Sequence, residues 1–225
     1  MHFIVLSSSR GTTFQAIIDA LKLGTLKAEC AGLVADRADR GCVEKAKAAG
    51  IPYEVIKEDP KGDRSAFERG VDIAIRQLFS CHAEPLDSAR DKLREAETKE
   101  GPQTKQIVAA MGWMWILSPD FISQWKNRII NVHPALLPKF GGEGMYGLHV
   151  HEAVLRSGDK ESGVTFHLMD NGIDTGKILL QKRCKVEQDD TPEILQKRVQ
   201  ELEKEWYPKV LQMVHGGGDS PLRLM

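Results

Sequence analysis

Asn131 and His133 stand two residues apart at the end of an apolar run, Arg128-Ile129-Ile130-Asn131-Val132-His133, which Pro134 closes. The β-branched residues of that run predict a buried strand. Alternate side chains on a strand share a face, so the amide and the imidazole point the same way. Pro134 cannot donate to a sheet ladder, so the strand should end there and give over to a loop. In an open parallel sheet, the crevice beyond the carboxyl ends of the strands is where ligands bind. An amide placed there can donate to a developing oxyanion, and an imidazole can carry a proton. The same two residues would serve equally as a strand-end cap and a turn, and taken alone they do not separate these readings.

Three other stretches bear on the question. Ser7-Ser8-Ser9-Arg10-Gly11-Thr12-Thr13 joins a short apolar run, Phe3–Leu6, to a helical pattern carried by Phe14, Ile17, Ile18 and Leu21. Backbone N–H groups at such a junction face an anion, and Arg10 would add a charge-assisted contact. The stretch has neither the spaced glycines of a dinucleotide fingerprint nor the Gly-Lys pair of a P-loop, and an ordinary polar turn would look the same. Asp170-Asn171-Gly172-Ile173-Asp174-Thr175-Gly176 sets two carboxylates four residues apart between flexible glycines. That is not the spacing of a calcium loop, and a hairpin turn is the plain alternative. His149-Val150-His151 would suit a metal on a strand, but at a helix start the rings diverge by roughly 200°. With no third ligand in view, no metal is expected.

The elements that must position these residues follow from periodicity. Strands are predicted at Phe3–Leu6, 31–35, 53–56, 107–111 and 129–133, with helices between them. Thr12 to Gln15 fits a capping box, which starts the first helix at Thr12. Asp63 caps a helix carrying Phe67, Val71, Ile75 and Leu78, and Ser118-Pro119 opens another. This order predicts an α/β fold, a doubly wound and mostly parallel sheet. Two further strands, 163–169 and 178–182, make a C-terminal β-hairpin, and a long final helix opens at Thr191-Pro192. Ala83–Glu100 reads as a charge-dense, solvated helix inserted within 83–104. Residues 1–213 form one expected domain, divided at 111 into two halves. Residues 214–225 are expected to be a flexible tail.

At 225 residues with a formal net charge of -1, the chain shows no broad attraction to nucleic acid or an anionic membrane. No apolar run reaches the roughly 18–20 residues that span a bilayer. The four cysteines lack metal-ligand spacing and, with no signal peptide, read as reduced thiols of a cytoplasmic protein. Small-molecule substrates are expected, with the chain a monomer or homodimer.

Together the stretches carry a resemblance. Asn131-Val132-His133-Pro134-Ala135-Leu136-Leu137-Pro138 resembles the Asn-x-His-Pro-Ser-Leu-Leu-Pro signature of the folate-dependent formyltransferases. Asp170-x-Gly-x-Asp174-Thr-Gly-x-Ile resembles their second motif, at the right separation. Gly11-Thr12-Thr13-Phe14-Gln15, the Arg64 helix, Gly112 to Pro119 and the helix from Arg198 to Tyr207-Pro208 are similar to the family too, so the likeness spans nearly the whole chain.

The resemblance implies formyl transfer from 10-formyltetrahydrofolate, a cosubstrate rather than a bound cofactor, to the amine of glycinamide ribonucleotide. It implies that Gly11, Thr12 and Thr13 hold the phosphate and that Gln200 and Glu203 help seat the same substrate. Arg64, Met114, Trp115, Ile116, Leu117, Asp170, Asn171, Gly172 and Ile173 would line the folate site. Asn131, His133 and Asp174 would be catalytic, with Leu137–Pro138 a cis peptide. Thr13 replaces a usual Asn and Trp115 a frequent Arg, while the insert at 83–104 and the Gly141–Gly147 loop receive no role. Other members of the family, hydrolases or transferases to sugar amines or tRNA, share the catalytic trio, and a non-catalytic nucleotide-binding protein is a further alternative. A carboxylate beside His133 predicts that the ring titrates above 6.5, helps the oxyanion as imidazolium and loses that help at alkaline pH.

Overall fold

β1 (His2–Leu6) is the first strand laid down, and the sheet grows outward from it on both sides. The computed structural model describes residues 1–57, 63–81 and 106–216. Around β1 run β2 (Glu29–Ala35), β3 (Tyr53–Val55), β4 (Gln106–Ala110), β5 (Ile129–His133), β6 (Glu161–Leu168) and β7 (Ile178–Lys185). The spatial order is β3-β2-β1-β4-β5-β6-β7. The first five strands are parallel, whereas β6 pairs antiparallel with both β5 and β7. The doubly wound sheet and its hairpin are as the periodicity predicts.

Alternation along the central strand shows why both faces are covered. Phe3 and Val5 face one core, shared with Phe14 and Ile17 of α1 (Thr12–Lys22), Val43 of α2 (Gly41–Ala49) and Val154 of α5 (Leu148–Ser157). The last helix, α6 (Pro192–Gly216), closes that face with Leu195, Val199 and Leu211. Ile4 and Leu6 face the other core, with Phe67, Val71 and Ile75 of α3 (Arg64–Ser80) and Phe121 of α4 (Pro119–Gln124). Two-sided burial is why these strands read as continuous apolar runs.

Tyr207 pins α6 to the sheet. Its buried hydroxyl reaches the carbonyls of Ala110 at 3.0 Å and Ile130 at 2.8 Å, where β4 and β5 approach the crevice. The helix continues to Gly216, past the boundary expected at 213. The Ala83–Glu100 helix and the end of the expected tail lie outside the described residues. No described helix is long and apolar enough to cross a membrane.

Candidate active site

Chain reversal between β1 and β4 opens a crevice at the carboxyl ends of the parallel strands. The Ser7–Thr13 loop forms one wall. Its start is tied down by the Ser7 hydroxyl, which donates to the Met111 carbonyl at 2.9 Å. The helix does begin at Thr12, but the capping box does not form. Gly11 is the N-cap, left-handed at φ 73 and without a side-chain cap. Glycine is required there because a Cβ would lie 2.7 Å from Cys42 Cα. With no capping side chain on the first turn, backbone donors are left for an anion. Thr13 turns instead to the last helix, its hydroxyl donating to Glu203 Oε2 at 3.1 Å. Desolvation pushes the Glu203 carboxyl up to about 7, with that hydrogen bond pulling the other way.

The opposite wall follows β4. Arg64, at the start of α3, donates to the Ile116 carbonyl and pairs with Glu68 at 3.5 Å. Met114 and Ile116 are about half exposed, whereas Leu117 is buried. Trp115 does not reach out as an arginine would. Its ring packs on Phe67, centroids 5.0 Å apart, and its Nε1 donates to Asp36 Oδ2 at 3.3 Å. In the 170–176 turn, Asp170 is occupied structurally, Oδ1 accepting from Gly172 N–H at 3.1 Å and from the Thr175 hydroxyl at 2.7 Å. Asn171 and Gly172 are exposed, as is Ile173. Gln200 lies on α6, one turn before Glu203.

Between the walls, Asp174 folds back over the end of β5. Its Oδ2 lies 3.3 Å from His133 Nδ1, both groups being largely buried. Asn131 is opposite His167 in the antiparallel β5–β6 register, and its Nδ2 lies 3.2 Å from His167 Nε2. His167 Nδ1–H donates to the Leu168 carbonyl at 3.0 Å, which in a neutral ring leaves Nε2 to accept from Asn131. One amide hydrogen of Asn131 is thereby engaged and the second is left for the crevice. His167 Nε2 also lies 3.5 Å from Asp174 Oδ1. Four residues thus meet where three were expected.

Burial raises the Asp174 carboxyl, but His167, His133 and the Gly142 N–H outweigh it and hold the group below the usual carboxylate range. For His133 the balance goes against expectation. Burial lowers its pKa below 6.5 and outweighs the upward pull of Asp174 and of the Phe140 carbonyl, with His167 adding to the lowering. The ring is therefore neutral near pH 7, and the predicted rise is corrected: a carboxylate at 3.3 Å does not repay the loss of solvent.

The connection after His133 is held by Thr165, whose hydroxyl donates to the Ala135 carbonyl at 2.6 Å and accepts from Leu137 N–H at 3.0 Å. Leu137–Pro138 is cis, as the resemblance implies. His149 and His151 diverge, His149 exposed and His151 1 % exposed. Burial brings the His151 imidazole down to about 4, with His133 acting in the same direction.

The sequence matches the formyl transferase family over residues 1–211. The chain belongs to that family. Among the relatives of this formyl transferase is the phosphoribosylglycinamide formyltransferase of Bacillus subtilis, 31% identical over 95% of this chain and 94% of its own. The trifunctional purine biosynthetic protein adenosine-3 of Gallus gallus is 32% identical over 95% of this chain, which spans only 18% of that longer protein. The solved structure of phosphoribosylglycinamide formyltransferase from Bacillus halodurans superposes with a TM-score of 0.77 at 29% identity, covering 96% of both chains.

Neither His167 nor the Phe140–Gly142 backbone stands out in the sequence of this formyl transferase. A signal for His167 existed, since a hairpin folded back on β5 brings some polar residue opposite Asn131. Its identity required the register. The backbone contacts left no trace in side-chain types.

Proposed function

We infer that this enzyme transfers a formyl group from 10-formyltetrahydrofolate to the amine of 5'-phosphoribosylglycinamide. The single observation that carries the mechanism is the contact of His133 with Asp174 at 3.3 Å beside an Asn131 with one amide hydrogen left over. The names of relatives that match the chain nearly end to end support the choice of substrates.

In this reading the backbone of Gly11, Thr12 and Thr13 takes the phosphate at the start of α1, and Gln200 and Glu203 seat the ribose side of that substrate. Arg64, Met114, Trp115, Ile116, Leu117 and the 170–173 turn line the folate. The exposed apolar side chains of Met114, Ile116 and Ile173 suit a flat ring system. The uncharged amine attacks the formyl carbon, forming a C–N bond as the carbonyl oxygen becomes an oxyanion. Asn131 donates its second N–H to that oxygen. The neutral His133, paired with Asp174, accepts the ammonium proton through water and returns it to the departing folate nitrogen as the old C–N bond breaks. Both ring nitrogens of His133 already have partners, so oxyanion stabilisation falls to Asn131 rather than to an imidazolium.

The test is formyl-folate consumption with and without glycinamide ribonucleotide. Turnover that depends on the acceptor supports the reading. Turnover without it points to a hydrolase, and nucleotide binding with no turnover to a binding protein.

A further inference from the structure

The Gly141–Gly147 loop, to which the family likeness assigns nothing, and Phe140 just before it reach into the catalytic group through their backbone. His133 Nε2 lies 2.7 Å from the Phe140 carbonyl, which can only accept, so Nε2 carries a hydrogen. Two residues on, Gly142 N–H donates to Asp174 Oδ2 at 3.1 Å, the same oxygen that faces His133 Nδ1. The chain between these contacts is tightly shaped. Phe140 is left-handed at φ 57, rare for a bulky residue, and Gly142 has φ 96. A Cβ on Gly141 would lie 2.4 Å from Leu137 Cδ2 and 3.2 Å from Asp174 Cβ. Asp174 is itself left-handed at φ 58.

We propose that the Phe140–Gly142 backbone is a clamp that positions the His133–Asp174 pair and fixes the hydrogen on Nε2, making this loop part of the apparatus for proton transfer. The carbonyl holds the ring with the Nδ1 lone pair toward Asp174. A bare carboxylate would repel that lone pair, and Gly142 N–H offsets its charge. When the ring accepts a proton, both of its N–H groups already have acceptors in place, so little reorganisation is needed. The other titratable groups near the ring are His167 on β6 and His151 on α5. Neither supplies a donor to Asp174 Oδ2 in place of Gly142.

The proposal rests on the formyl-transfer reading for its kinetics, but not for its main readout, the titration of His133 followed by NMR. Replacing the Gly141–Gly142 peptide by an ester removes one N–H and adds no side chain. With the Asp174 charge less offset, His133 should titrate at higher pH than in the unmodified enzyme. The acid limb of kcat should follow it, with kcat down about tenfold, the scale of one lost hydrogen bond. Gly141→Ala should cost about 10²-fold in kcat, with KM for both substrates within a few-fold, as a misplaced pair predicts. The control is Gly144→Ala, which introduces a side chain at φ 80 in the same loop with nothing within 4 Å; it should keep the wild-type titration. An ester variant whose His133 titrates as in the unmodified enzyme overturns the clamp, as does a Gly141→Ala no slower than Gly144→Ala.

Discussion

Asn131 and His133 do different work although they share a strand face, and the difference lies in what each has left over. Asn131 keeps one amide hydrogen after its contact with His167, so it is the residue to remove when testing oxyanion stabilisation. Asn131→Ala should keep its unfolding midpoint and lose about 2.7–4 kcal/mol of transition-state stabilisation, read as kcat/KM. Near-normal kcat/KM would take Asn131 out of the mechanism. His133 has its Nε2 hydrogen engaged by the Phe140 carbonyl and only the Nδ1 lone pair to take a proton, so its role follows from its charge state. The ring must be neutral to accept a proton, and its folded pKa lies below 6.5. On the enzyme's side, activity should therefore be lost as pH falls through that lowered value, beside the loss from protonating the substrate amine, with no alkaline fall from loss of an imidazolium. Asp174→Asn removes the main group that raises the ring's pKa, so His133 should titrate lower still, with the acid limb moving down and kcat falling more than affinity. The profile of kcat against pH, with NMR of His133, checks both. The family resemblance joins 131, 133 and 174 into one group, where their side-chain types alone leave a strand-end cap and a hairpin turn open. The sign of the histidine shift was not readable, because burial and the carboxylate oppose each other and only coordinates weigh them.

The elements hold these residues through a few backbone devices. α1 starts at Thr12, where the capping pattern predicts, but for another reason: the approach of Cys42 demands a glycine cap rather than a Thr side chain. Gly11→Ala would add left-handed strain and a clash at the wall of the phosphate site. It should raise KM for the ribonucleotide substantially more than KM for formyl-folate, and equal changes in the two would argue against the phosphate assignment. α6 was recognised by its apolar period, but its tie to the sheet was not. Tyr207 is bonded to carbonyls 97 and 77 residues earlier in the chain, a pairing no local pattern encodes. Tyr207→Phe should cost about 1–3 kcal/mol in urea unfolding, because buried carbonyls lose a donor. A cost near zero would mean that ring packing alone docks the helix. His167 was missed for the same reason, since its partner is 36 residues away in sequence and the register decides it.

At the scale of the whole molecule, the two ends of the sheet divide the labour. Turns at the carboxyl ends of β1, β4 and β5 carry the proposed phosphate loop, folate wall and catalytic group, and the hairpin of β6 and β7 adds Asp174 from its turn. Among the described residues, the opposite end carries connections only. This division was legible because parallel strands alternating with helices leave one edge for ligands. The detail at that edge was not, since it depends on loops whose backbone contacts are independent of residue type. The charge-dense segment from Ala83 to Glu100 falls between α3, which ends at Ser80, and β4, which begins at Gln106. Gln106 pairs with His2, so the chain enters β4 at the edge of the sheet away from the crevice. Gln106 itself is remote from His133 along the length of the strands, about 3.3 Å for each residue. Replacing Ala83–Glu100 with a short Gly/Ser link should leave kcat within a few-fold and both KM values unchanged. The measurement is steady-state kinetics on the shortened chain beside its unfolding curve. A variant that unfolds as cooperatively as the full chain yet has lost turnover would overturn the argument and make the segment part of the site or of an active oligomer.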